Sequence, residues 1–143
     1  DGQATINLHN ADVVLVGVSR TSKTPTCIYL ANRGVKAANI PVVPRTDLPQ
    51  ELFNLDPDTG PLIVGLTKDA GSLVQIRRNR LRLLNEDDET DYIDPDVVRE
   101  EVAMARRLCS ENNWPVIDVS RRSIEESAAA IMQHLERRVV GHE

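Results

Sequence analysis

Four short apolar runs punctuate this chain, and stretches with an apolar residue at every third or fourth position lie between and after them. Residues 12–17 (DVVLVG) are apolar almost without a break, the pattern of a strand covered on both faces. Residues 38–43 read as a second strand, which Pro41 pushes toward a sheet edge. Residues 61–67 (PLIVGLT) and 115–119 (PVIDV) supply two more. Helical spacing over about 23–33 follows the first strand, with Pro25 in the first turn and Gly34 at the C-terminal cap position. Asp94-Pro95 opens another helix, on which Val98, Val102, Ala105 and Cys109 share a face. Ser123 and Glu126 form a capping box ahead of the stripe Ile124, Ala128, Ile131 and Leu135. A Pro- and Asp-rich connection (44–61) carries turns at Leu48-Pro49 and Asp56-Pro57, and the acidic run 85–91 reads as a solvated loop. Such alternation predicts a doubly wound α/β fold with a mostly parallel sheet and helices on both faces. The 12–17 strand should be central, the 38–43 strand nearer an edge, and ligands should bind at the carboxyl ends of the strands.

The turn after the first strand carries the chemistry. Gly17, Val18, Ser19, Arg20, Thr21, Ser22, Lys23 and Thr24 fit the strand–loop–helix setting of a phosphate-binding P-loop. Loop amides and the helix N-terminus would face an anion there, and Lys23 would reach the terminal phosphates. The Thr24 hydroxyl could ligate a Mg²⁺ carried in with a nucleotide. Ser22 stands where the usual pattern has Gly, so the backbone must tolerate a Cβ there. The plain alternative is a polar turn whose Lys and Thr are solvated.

Composition narrows the field. At 143 residues the chain is long enough for one domain with a real core, and its net charge of −5 argues against a general nucleic-acid binder. It has no apolar run long enough to span a membrane and no signal-peptide pattern. Cys27 and Cys109 both fall in helical patterns, which suits buried thiols in a reducing cytoplasm. The first residue is Asp1, not Met, as expected of a fragment or a processed product. His9, His134 and His142 are scattered without ligand spacing, so no metal site of the protein's own is expected.

Residues 12–25 (DVVLVGVSRTSKTP), the 28–39 segment, Gly65-Leu66-Thr67 with Asp69, Arg77 and Arg80, and 114–126 (WPVIDVSRRSIEE) resemble one family over nearly the whole chain. It is the regulatory proteins of pyruvate, phosphate dikinase and phosphoenolpyruvate synthase. The resemblance implies a bifunctional enzyme that uses ADP to phosphorylate, and so inactivate, a threonine of the target. It also implies removal of that phosphate by inorganic phosphate, releasing pyrophosphate. Ser at position 22 goes with the dikinase branch of the family and Gly is commoner in the synthase branch, which points to a dikinase as the target. The resemblance further implies a homodimer, and an N-terminal domain that this chain lacks, leaving the C-terminal catalytic domain.

With that resemblance in hand, other residues acquire candidate roles. Lys23 would hold the β-phosphate of ADP, the group transferred, and Arg20 is placed to reach phosphate oxygens. Arg77 and Arg80, with Arg78 in the helical stretch after the third strand, share a face at i, i+3 and match the family pattern. They are candidates for the incoming phosphate or phosphothreonine, against the alternative of a basic exposed helix face. Asp69 is the first choice for a general base or Mg²⁺ partner and Asp118 the second; each could instead be a turn or capping residue. Asp12 lies at the wrong edge of the sheet, Cys27 reads as packing, and Trp114 reads as core or turn packing. Two rival functions remain: a generic small-molecule P-loop kinase using ATP, and a nucleotide-binding fragment without catalysis.

Overall fold

A computed structural model describes residues 8–43, 46–56, 58–84 and 90–141. The first strand, β1 (Val13–Gly17), is followed by helix α1 (Lys23–Ala31) and by strand β2 (Ala37–Pro41). A one-turn helix α2 (Gln50–Phe53) leads to β3 (Leu62–Thr67) and the long helix α3 (Ala70–Leu83). After a short α4 (Thr90–Ile93) come α5 (Pro95–Glu111), β4 (Val116–Asp118) and α6 (Ile124–Gly141).

The sheet has the order β2-β1-β3-β4, and every pairing is parallel. The strand that feeds the glycine-to-lysine loop is therefore interior, and β2 is an edge, as expected. At that edge Pro41 sits where a missing amide N–H removes no bond to a second neighbour. Residues of β1 alternate between two cores. Val14 and Val16 pack with Leu73, Val74, Val98 and Cys109 on the α3/α5 face. Val13 and Leu15 pack with Leu30, Ile117, Ala128 and Ile131 on the α1/α6 face. A strand with helices on both sides has no solvent face, so its sequence shows no alternation. The two cysteines fall on opposite sides of the sheet, Cys109 within one core and Cys27 against the other, and both are free thiols.

Helix ends follow their sequence signals. Asp94 caps α5 by accepting from the N–H groups of Asp96 and Val97, with Pro95 in the first turn. The Ser123 N–H donates to Glu126 Oε1 at 2.9 Å and the Glu126 N–H returns the bond to Ser123 Oγ at 3.1 Å. Gly34 takes φ 81° after α1, and the Gly34 and Val35 N–H groups donate to the Ala31 and Leu30 carbonyls. This double closure is a Schellman motif, and glycine enters its left-handed position without a Cβ penalty.

Several boundaries differ from expectation. β2 is Ala37–Pro41, earlier than 38–43, because its register is set by the partners Val13 to Gly17. β1 and β4 are shorter than 12–17 and 115–119, since Asp12 accepts the Lys36 N–H and Pro115 has no amide hydrogen to donate. α1 ends at Ala31, not 33, where the Schellman closure begins. Two one-turn helices, α2 and α4, stand where connections were expected. Of the acidic run 85–91, residues 85–89 lie outside the described residues, as does the Pro57 of the second expected turn.

Candidate functional site

Because β1 leads back to β2 on one side while β3 lies on its other side, the strand order reverses between β1 and β3. That reversal opens a crevice at the carboxyl ends of the two strands, which is where open α/β sheets bind ligands. The crevice lies between Gly17 and the loop on one side and Thr67 and Asp69 on the other. Two further clefts are present, of which only the first lies at the far end of the sheet. One of about 350 Å³, beside the stacked Phe53 and Trp114, is at the amino ends of β3 and β4. Another of about 600 Å³ runs from Val42 along α5 past Met104 and Leu108.

The loop has an unusual backbone. Arg20 and Ser22 both take left-handed conformations, with φ 68° and 65°, and each follows a residue of ordinary handedness. Alternation of this kind turns successive N–H groups toward one concavity, the geometry of an anion nest. Non-glycine residues in that region cost about 1–3 kcal/mol each, so the loop is strained at two points. Ser22 is where the sequence departs from glycine, and the backbone holds the left-handed form despite its Cβ. Gly17, at the root of the loop, is fixed by close approach: a Cβ there would stand 2.5 Å from the Leu66 carbonyl oxygen.

Helices α3, α5 and α6 have side chains closing their N-termini, but Ser22 gives α1 none. Among the described residues, no hydrogen bond leaves the amides of residues 19–24. The first turn of a helix carries orphan N–H groups and the positive end of its dipole. Here those donors are continuous with the nest.

Lys23 sits at the start of this helix, only 6% exposed. Its ammonium donates to the Val18 carbonyl at 2.7 Å and to Thr21 Oγ1 at 3.2 Å, while Thr21 Oγ1 itself donates to Val18 at 2.8 Å. Burial lowers the Lys23 pKa to about 8; Cys27 opposes this, and the charges of Arg20 and Arg77 add to it. The Cys27 thiol is pushed up to about 11 by its own burial, which suits packing and not nucleophilic chemistry. Thr24 is exposed, and its Oγ1 accepts from Asn39 Nδ2 of β2 at 3.0 Å. That donation orients the hydroxyl oxygen and leaves it a lone pair, so Thr24 fits one position of a hard, oxygen-seeking cation such as Mg²⁺.

The low Lys23 pKa has a measurable consequence. An anion at the loop favours the ammonium, so binding restores a proton that the free protein has shed. Calorimetry with ADP in two buffers of different ionisation heat, between pH 8.5 and 9.5, should show proton uptake approaching one per site. It should vanish in Lys23→Met. Through this group alone, stability rises with pH between about 8 and the ordinary value of 10.5, because the folded chain loses the proton first.

Asp69 caps α3: its carboxylate accepts from the Ser72 N–H at 2.9 Å and from Ser72 Oγ at 2.8 Å. Those bonds hold its pKa below the usual carboxylate range. The group is thus ionised at the mouth of the crevice, though tuned away from storing a proton. Asp118, at the end of β4, is likewise held low, first by bonds from Ser120 and then by the Arg106 charge.

The arginines depart most from the sequence reading. Arg77 is 2% exposed and does not face an open site. It pairs with Glu101 of α5 at 2.8 Å, donates to the Tyr92 carbonyl at 3.1 Å and stacks over the Tyr92 ring. Its turn of α3 faces α4 and α5, and the guanidinium welds the three helices. Arg80, one turn on, is exposed, and its side chain makes no polar contact with a described residue. A shared helical face thus did not mean a shared environment. Arg106, which the sequence left unremarked, instead reaches the carboxyl end of β3, and its Nε donates to Thr67 Oγ1 at 3.4 Å.

Residues 1–132 match the family model described as kinase/pyrophosphorylase. A Caulobacter vibrioides protein, provisionally named a pyruvate, phosphate dikinase regulatory protein, is 59% identical over 94% of this chain and 42% of its own length. Relatives with the same provisional name from Sphingopyxis alaskensis and Rhodospirillum rubrum are 56% and 57% identical, over 96% and 94% of this chain. The chain spans about half the length of the curated relatives it matches, 50% and 48% in these last two cases.

Proposed function

Since the chain belongs to the kinase/pyrophosphorylase family, we propose that its loop is a P-loop at which phosphoryl groups move between ADP, a target threonine and inorganic phosphate. The observation that carries this reading is the unbroken run of free amides over residues 19–24, ending at an uncapped helix beside a buried Lys23. In the kinase direction the threonine oxygen attacks the β-phosphorus of ADP. The bond to the bridging oxygen breaks, leaving AMP and phosphothreonine. In the other direction an oxygen of inorganic phosphate attacks the phosphothreonine phosphorus and expels the threonine oxygen, giving pyrophosphate. The transferred group occupies one position in both reactions, and the attacking phosphate stands where the α-phosphate of AMP stood. A single cationic clamp therefore serves both directions.

Lys23 exchanges the Val18 carbonyl for phosphate oxygens, and the loop amides hold the remainder. Mg²⁺ bound through Thr24 and the phosphates would neutralise charge on the nucleotide. Asp69 orients the threonine hydroxyl and takes its proton late, which a low-pKa carboxylate can do when the transition state is loose. The target in this reading is pyruvate, phosphate dikinase, which the names of the relatives favour over phosphoenolpyruvate synthase. A cytoplasmic homodimer is part of the same proposal, on the strength of the family resemblance. Among the described residues, no helix is long and apolar enough to cross a membrane.

Initial rates with a dikinase as protein substrate test the proposal. ADP should support phosphorylation and ATP should not, and ADP should compete with inorganic phosphate in the reverse role. Asp69→Asn should slow the kinase direction by about tenfold or more and the phosphate-driven direction less, because phosphate arrives already anionic. Efficient turnover with ATP would favour a generic kinase. Nucleotide binding without turnover in either direction would favour a binding module.

A further inference from the structure

The clamp needs a cation on the β3 side of the crevice, opposite Lys23, and neither Arg77 nor Arg80 supplies it. Arg77 is committed to Glu101 and the Tyr92 carbonyl, and Arg80 lies eleven residues beyond the Asp69 cap of α3, about 16 Å along a helix that leads away from the carboxyl end of β3. Arg106 is placed differently. It lies on α5 where that helix crosses the carboxyl end of the sheet, and it lines one small recess together with Gly17, Leu66 and Thr67. Resting on the phosphoryl-transfer reading above, we propose that Arg106 binds the phosphoryl group in transit, the β-phosphoryl of ADP in one direction and that of phosphothreonine in the other.

Three observations support the assignment. The guanidinium is loosely held: Nε reaches Thr67 Oγ1 at 3.4 Å, and Nη2 stands 3.6 Å from Asp118 Oδ2, an ion pair too long for a hydrogen bond. The N–H groups on both terminal nitrogens therefore donate to no described residue, although a planar fork of this kind matches a phosphoryl group well. The side chain is 53% exposed, so it can pivot without leaving a buried charge behind. Finally, its counter-charge is fixed. Hydrogen bonds from Ser120 keep the Asp118 carboxyl ionised, and the Ser120 hydroxyl accepts from the Asp69 N–H, which ties the tether to the mouth of the crevice. Asp118 thus parks Arg106 at the lip when no phosphoryl group is present, and phosphate oxygens outcompete a 3.6 Å contact.

Paired binding of ADP and AMP to the whole protein tests this, since AMP lacks the group that Arg106 is assigned to hold. Arg106→Ala should weaken ADP by about tenfold to a hundredfold while leaving AMP within about twofold, the range expected for a charge-assisted hydrogen bond. Arg106→Lys should recover part of the loss, and Arg107→Ala, the next residue on α5, should change neither. A purely structural Arg106 would weaken ADP and AMP together, and that result overturns the assignment, as does an unchanged ADP affinity. The underlying reading is checked separately at Lys23: ADP binding that Lys23→Met leaves untouched would defeat the loop assignment itself.

Discussion

Lys23→Met is expected to leave the chain folded and to lower phosphoryl transfer by about 10³-fold or more in both directions, the cost of removing a preorganised charge from the transferred group. Met matches the length of the lysine stem and needs no hydrogen-bond partner, so it isolates the charge. The folded state should not suffer. A lysine whose pKa falls to about 8 through burial is one whose ammonium the fold disfavours, and the neutral thioether removes that burden. Circular dichroism and urea unfolding check the fold, and initial rates in the two directions check the chemistry. Loss of the kinase reaction with full retention of the phosphate-driven reaction would rule out a shared site.

Glu101→Ala should be strongly destabilising, on a par with truncating a fully buried core side chain. It strips the partner from an arginine that is 2% exposed, leaving Arg77 with the Tyr92 carbonyl, the Tyr92 ring and an Nε that already lacks an acceptor. Breaking one side of a buried pair costs about 3–5 kcal/mol, because the remaining charge is neither solvated nor neutralised. Replacing both partners with apolar residues, as in Arg77→Met with Glu101→Leu, should recover most of that loss. Urea midpoints at constant slope give the comparison. A loss below about 1 kcal/mol for Glu101→Ala would show that Arg77 finds another anion or reaches water.

Much of this architecture was readable before any coordinates, and the reasons differ by element. β1 announced itself because a strand buried on both faces must be apolar throughout, and few other elements are. Capping residues at Asp94 and Ser123 fixed two helix starts, since their bonds are local and depend on nothing distant. The one-turn helices α2 and α4 were invisible, because four residues are too few to display a period. Arg77 departed from expectation for another reason. Spacing at i, i+3 says that Arg77 and Arg80 point the same way but not what lies there, and Glu101 is distant in sequence. Arg106 was hidden by its neighbours: the stripe Val98, Val102, Ala105 and Cys109 drew the eye to the buried side of α5. The useful signal was position, an arginine at the edge of an apolar stripe on the helix leading into the last strand. Its value became visible only once β3 brought Thr67 beneath it.

The bond from Lys23 to the Val18 carbonyl also bears on how quickly the site can empty. A departing anion would ordinarily abandon a cation in a poorly hydrated place, and that abandonment would slow its exit. Here the Val18 carbonyl stands within reach at 2.7 Å, so the ammonium would have a second acceptor to turn to as an anion left. On the proposed reading the loop would act as a latch with two resting positions, one occupied by phosphate and one, the position observed, closed on itself. Such an arrangement sacrifices some grip for speed of exchange. Such a trade would serve the proposed phosphoryl transfer in either direction, with flux set by which substrate is abundant.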